Sequence, residues 1–179
     1  MSLPQFRYHP DPLRTGSIIV SQQPCRRCEQ ARGYVYTGPV YSEHDLDDAI
    51  CPWCIADGSA ATLFDALFID EEALSTDAPE RVYEELCRRT PGYNSWQAES
   101  WPVCCDDATA LVNSAGITEL RRDFPGWEGA LLNYIVYEMQ ISGRAALNLM
   151  ESLDRDAGPT AYLFECLHCR RQHFHVDQK

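Results

Sequence analysis

The sequence predicts an α+β fold, with β-hairpins forming a small antiparallel sheet and helices packed on one side of it. Three observations predict it. Short β-branched and aromatic stretches flank paired cysteines near both ends; apolar residues recur at helical spacing through the middle; Gly-Pro punctuation separates the two kinds of segment. The 179 residues are 45% apolar, enough for one ordinary core, so 1–179 reads as a single domain. Within it, 1–60 is organised around its cysteines, and 61–179 holds a helical middle and a C-terminal hairpin.

The chain starts as an extended arm, because Pro10 and Pro12 interrupt Phe6 to Leu13. Ser17–Ser21 and Gly33–Thr37 are β-prone and read as the strands of a first hairpin. Gly38-Pro39 then turns the chain into an acidic stretch. Gly58-Ser59 starts a short helix whose Leu63, Phe64, Leu67 and Phe68 are spaced for one buried face. Ala78–Cys87 is a second helix, with Pro79 in its first turn, Glu80 set against the helix dipole and Thr90-Pro91-Gly92 ending it.

Two longer helical stretches are expected over Trp96–Ala115, complicated by Pro102, and over Trp127–Leu153. In the second, Leu131, Ile135, Met139 and Leu147 mark the core face, and Gly143 offers a break. Gly158-Pro159 stops it. Ala161–Glu165 and Gln172–Val176 alternate and form a last hairpin, which could add to the first one in a common sheet.

Eight of the nine cysteines fall in pairs. The hooks Cys25-x2-Cys28 and Cys51-x2-Cys54 lie 22 residues apart, a spacing at which two thiolate hooks wrap one tetrahedral zinc, as in zinc ribbons and treble clefs. The late hook, Cys166-x2-Cys169, and the adjacent pair Cys104-Cys105 would make a second site across about 60 residues. His173 competes for a place in it, while the tight turn directs His168 outward. Both ions would be structural, since four thiolates leave no open position for catalysis. Cys87, one position after Leu86, is a buried structural thiol. A thioredoxin-like reading of Cys51-Pro52-Trp53-Cys54 is weakened by the matching hook upstream.

The net charge of −12 argues against nucleic-acid binding and for a basic partner. Two tetrathiolate zinc sites would each add −2 and take the total to about −16. Asp45, Asp47, Asp48, Asp70, Glu71 and Glu72 read as solvated surface. Tyr93, Trp96 and Trp101 read first as core and second as a partner-binding surface. No run approaches the roughly 20 apolar residues of a membrane span and no signal peptide is evident, so a cytoplasmic location is expected, with thiols bound to metal rather than oxidised. No Ser-His-Asp grouping, phosphate loop or paired general acid can be assigned.

Several strings carry a resemblance: Phe6-Arg7-Tyr8-His9-Pro10-Asp11-Pro12, Tyr36-Thr37-Gly38-Pro39-Val40-Tyr41-Ser42, Cys51 to Ala61, Arg89-Thr90-Pro91-Gly92-Tyr93 with Trp96-Gln97, and Tyr162 to Cys169. Nearly end to end, the chain resembles the bacterial CbrC family, named for a colicin-tolerance protein. That family is largely uncharacterised, and the resemblance brings an association with tolerance to a nuclease colicin and with a sensor-kinase regulon, with no enzyme activity attached to it. Members often show His-Cys where this chain has Cys104-Cys105; the exchange keeps a zinc ligand, although two adjacent ligands are sterically demanding. The expectation is thus a zinc-stabilised, non-catalytic binding or stress-tolerance protein whose partner is a basic protein, a nuclease toxin among the candidates. The alternatives are a zinc-ribbon nucleic-acid-binding regulator and a thiol- or metal-dependent enzyme.

Overall fold

The computed structural model describes residues 2–74 and 78–178. Strands β1 (Ile18–Val20) and β2 (Tyr34–Tyr36) pair antiparallel, with Ile18 opposite Tyr36 and Val20 opposite Tyr34. Tyr36 also bridges to Ile50, which delivers the chain to helix α1 (Pro52–Ala56). Gly58, at φ 74°, takes the left-handed conformation and re-aims the chain into α2 (Ser59–Phe64). That helix ends earlier than its pattern predicts, at Asp65 (φ 44°), and buries Ala60 and Ala61. Leu63 is 55% exposed, whereas Phe68, beyond the helix, is buried against Tyr36, and its N–H donates to the Cys87 carbonyl.

Helix α3 (Glu80–Arg89) buries Val82, Leu86 and Cys87, as the sequence predicts, and its Arg88 and Arg89 suit the negative end of the helix. The expected helix over 96–115 is absent. Its place is taken by a tight hairpin, β3 (Val103–Cys104) with β4 (Asp107–Ala108), and by β5 (Ala110–Ala115). Pro102 denies a helix its continuity, and five of the six β5 residues are buried, so the period-2 alternation that marks a strand is erased.

Three helices follow: α4 (Ile117–Asp123), α5 (Glu128–Tyr137) and α6 (Gly143–Glu151). The stretch read as one helix over 127–153 is therefore two, divided where Gln140 (φ 58°) and Gly143 (φ 62°) turn left-handed. The restart changes the phase of the apolar stripe. Ala146 and Met150 face the core, and Leu147, expected inside, is 53% exposed.

Strands β6 (Thr160–Glu165) and β7 (Gln172–Asp177) form the last hairpin, and β5 pairs with the free side of β6 to give an antiparallel β5-β6-β7 sheet. The first hairpin stays a separate two-stranded sheet instead of joining this one, and the unforeseen β5 takes the position beside β6. Helices α4–α6 cover the face of Leu163, Phe174 and Val176. The opposite face, Tyr162 and Phe164, packs on Tyr93 and Trp101, with ring centroids 4.4 Å apart for Tyr93–Tyr162 and 5.4 Å for Trp101–Phe164. The N-terminal arm is irregular, as expected, but it is no surface feature. Phe6, Tyr8 and His9 are buried, and the Leu111 N–H donates to the Tyr8 carbonyl.

Candidate metal centres

Local backbone geometry builds each thiolate hook. In the first, the Cys25 N–H donates to the Gln30 carbonyl and the Glu29 N–H to the Cys25 carbonyl, with Glu29 at φ 59°. In the last, the Cys166 N–H donates to Arg171, the Arg170 N–H donates to Cys166, and Arg170 sits at φ 62°. The two knuckles are the same turn, closed by a left-handed residue after the second cysteine. Amides of Arg27 and Cys51 point at Cys25 Sγ (3.4 and 3.3 Å), and the Cys169 amide at Cys166 Sγ (3.5 Å).

The partner of the first knuckle is a helical turn: Cys51 caps α1 and Cys54 lies within its first turn, which brings both sulfurs to one side. The partner of the second is the β3–β4 turn. Cys105 and Asp106, both at φ 57°, form a two-residue turn of the type that joins twisted strands, and the left-handed Cys105 brings its sulfur back beside that of Cys104. This removes the steric objection to adjacent ligands.

The structure brings all eight paired cysteines together as two quartets, Cys25, Cys28, Cys51 and Cys54, and Cys104, Cys105, Cys166 and Cys169, with the sulfurs of each within 4.8 Å of one another. A tetrahedral zinc with Zn–S bonds of about 2.3 Å holds its sulfurs about 3.8 Å apart. The Cys28–Cys51 and Cys104–Cys105 separations are 3.8 Å, and Cys104–Cys169 is 3.7 Å. Both quartets fit a zinc ion. His173 joins neither group. Cys87 is fully buried and outside both.

The electrostatics lead the same way. A hydrogen bond from the Cys51 thiol brings Cys25 down to about 4; the same bond, with burial, pushes Cys51 far up, and burial together with the Cys25 charge raises Cys54 to about 12. In the second quartet burial opposes ionisation of Cys166, but the amides of Cys169 and His168 and the Cys104 thiol outweigh it and bring it to about 6; Cys104 rises to about 12, through burial and then Cys166. One thiol of each quartet, Cys25 and Cys166, is thus favoured as thiolate over its neighbours Cys51, Cys54 and Cys104, and a bound dication is what would favour ionisation of those neighbours too.

Exposure separates the two. Cys25, Cys51 and Cys54 are 2–3% exposed, while Cys105 and Cys169 face solvent. His168 does not simply point outward: its Nε2 donates to Asp107 Oδ2 at 2.8 Å. Asp107, two residues after Cys105 and buried, also accepts from Tyr8 Oη (2.7 Å) and from Arg7. Burial works against its ionisation, yet the hydrogen bonds from Tyr8 and His168 and the Arg7 guanidinium hold its carboxyl below the usual range. The second quartet is thereby tied to the N-terminal arm. Sequence reasoning passed over Asp107, since one acid among 27 gives no signal of partners about 100 positions away. Tyr93 and Trp101 are core; Trp96 is 58% exposed.

These features define a class: a small α+β protein with two four-cysteine centres suited to zinc, one largely buried and one partly exposed. The chain belongs to the Uncharacterised protein family (UPF0167), matched over residues 3–178. It is 50% identical over 169 residues to UPF0167 proteins of Mycobacterium bovis and Mycobacterium tuberculosis, covering 93% of this chain and 89% of theirs. It is 43% identical over 177 residues to one of Pseudomonas aeruginosa, covering 98% of this chain and 97% of that protein. No solved structure matches the chain. The family description and the relatives' names state no activity. Among the described residues no helix is long and apolar enough to cross a membrane.

Proposed function

We propose that this chain is a zinc-stabilised recognition protein, in which two structural ions fix the fold and the action is binding rather than catalysis. The observation that carries the reading is the closure of both quartets. A catalytic zinc needs a position for water, and four sulfurs fill every position of a tetrahedral ion. The same closure disfavours a dithiol oxidoreductase at Cys51 and Cys54.

The partner we assign is a basic protein. The charge of −12, about −16 with two tetrathiolate zincs, favours encounter with cationic surfaces and disfavours nucleic acid. Asp45, Asp47 and Asp48 are exposed on the segment leading to Cys51 and offer one contact stretch. The resemblance to the CbrC family supports a nuclease toxin as that partner, and a cytoplasmic role in tolerance or stress response. The test is titration calorimetry of the zinc-loaded chain against a basic colicin nuclease domain. A stoichiometric complex that weakens with salt is expected; absence of binding at low salt would overturn the assignment.

A further inference from the structure

The β5-β6-β7 sheet has two edges, and the fold treats them differently. On the β5 side the N-terminal arm lies alongside, and the Leu111 N–H donates to the Tyr8 carbonyl. At the far end of β7 the buried Asp177 accepts from Ser95 Oγ (2.7 Å) and from the amides of Trp96 (2.6 Å) and Gln97 (3.2 Å), which ties a loop there. The start of β7 has no such tie. Its sequence, Gln-His-Phe-His-Val-Asp, holds no proline or lysine, and its register with β6 runs without a bulge. Those are the devices by which proteins usually blunt an edge.

The direction of the free main-chain groups follows from the ladder. The Cys166 N–H donates to the Arg171 carbonyl, so in the antiparallel alternation His173 and His175 bond to β6, while Gln172 and Phe174 turn their N–H and C=O groups outward. Among the described residues no hydrogen bond reaches those outward groups. A cleft of about 490 Å³ lies against them, lined by Arg171, Gln172, His173 and Phe174. Side chains of successive strand residues alternate between the two faces of a sheet, so four in a row line one cleft only where it runs along the edge.

The two sides of the cleft differ, and the difference defines the occupant. On the side of Gln172 and Phe174 stands a stripe of α5 and its cap, Ala130, Asn133, Tyr134, Tyr137 and Glu138, at the i, i+3, i+4, i+7, i+8 spacing of one helix face. Tyr137 is 74% exposed. Arg171 and His173 face the other way, and Pro102 completes the lining. Arg171 is exposed and makes no ion pair with a carboxylate among the described residues. An added strand sets its alternate side chains about 5 Å from these neighbours. A second copy of the chain would bring its own α5 to the same edge, so a lone strand is the better fit. We propose that the β7 edge docks an extended segment of a partner protein, which adds as a fourth strand with apolar side chains towards α5 and an acidic one beside Arg171. The site takes the opposite charge from Asp45, Asp47 and Asp48, and it stands whether or not their assignment does.

The test uses the full, zinc-loaded, ¹⁵N-labelled chain and the capped peptide Ser-Val-Asp-Val-Asp-Val-Ser as the probe. One control replaces aspartate by lysine; the other methylates the valine nitrogens, whose N–H groups would face Gln172 and Phe174. In the free chain the amide hydrogens of Gln172 and Phe174 should exchange faster than those of His173 and His175, and the aspartate peptide should slow them. It should also shift the amides of 171–174 and 134–138, with saturation by about 1 mM. Arg171→Ala should weaken binding about three- to tenfold at unchanged zinc content, the lysine peptide should bind more weakly, and the methylated one should not bind. Edge amides already protected in the free chain would overturn the proposal, and if that chain also sediments as a dimer, a second copy occupies the edge instead. No shifts by about 1 mM, binding of the methylated peptide, equal binding of the aspartate and lysine peptides, or an Arg171→Ala chain that binds as the parent does would each overturn it as well.

Discussion

His9 concentrates more constraint than any other titratable residue of the arm. It is fully buried, donates to Pro91 and accepts from Thr15, and burial pushes its pKa down to about 4. A histidine depressed in the folded state contributes stability that is present above its unfolded value near 6.5 and lost as pH falls towards 4. We therefore expect the stability gap between the parent and His9→Asn, measured by urea unfolding, to be widest at pH 7 and to narrow by up to about 3 kcal/mol between pH 6.5 and 4. A gap independent of pH would show that His9 does not titrate on unfolding. Glu99, which burial raises to about 7, has the opposite sign: its ionisation costs stability as pH rises from 4.5 through 7. This is why the comparison must be made between variants and not read from the parent curve alone. Asp107 is the second residue of this kind. Removing it leaves Tyr8, Arg7 and His168 without their shared acceptor, so Asp107→Ala should cost about 3 kcal/mol, read in the same unfolding experiment.

At the scale of elements, the two knuckles are one turn used twice, yet their surroundings differ. The first quartet lies inside the core with Ile50, Ile55 and Phe68, while the second rests on two short turns with two sulfurs exposed. Chelation should accordingly remove two zinc ions in two phases, the second centre first, as followed by a chromogenic chelator. In Cys166→Ser the fast phase should vanish and one slow equivalent should remain; loss of both phases together would mean that the centres are not independent. Glu29 supplies a sharper test of the turn itself. A side chain in the left-handed region costs about 1 kcal/mol that glycine does not pay, so Glu29→Gly should hold or raise stability despite its greater chain entropy when unfolded. A loss of 2 kcal/mol or more, against the small change these terms allow, would show that the Glu29 side chain does something its geometry does not reveal.

For the whole molecule, charge and metal act together. The zinc-loaded chain should carry two ions by elemental analysis, and stripping both should lower its melting temperature. The association rate with a basic partner should fall steeply with ionic strength while dissociation changes little, and reversing Asp45, Asp47 and Asp48 to lysine should reproduce the fall. A salt-independent on-rate in stopped flow would remove electrostatic steering from the account.

What the sequence determined by itself is what short-range rules govern. The hooks, the strands that flank them, helix α3 with its buried Cys87, and the irregular arm were all legible, because spacing, turn residues and apolar period act within a few positions. Tertiary structure decided the rest. β5 gave no strand signal because burial on both faces erased its alternation, and it, not the first hairpin, stands beside β6. The phase of α6 depended on a break whose geometry two left-handed residues set. The pairing of Cys104-Cys105 with the last hook was proposed from counting, but its feasibility rested on the left-handed turn at Cys105. Asp107, Asp177 and His9 owe their roles to partners separated by 80 or more positions, as in Tyr8–Asp107, Ser95–Asp177 and His9–Pro91. No local pattern can encode such a contact, since it exists only when distant segments, each with its own local preference, are packed against one another.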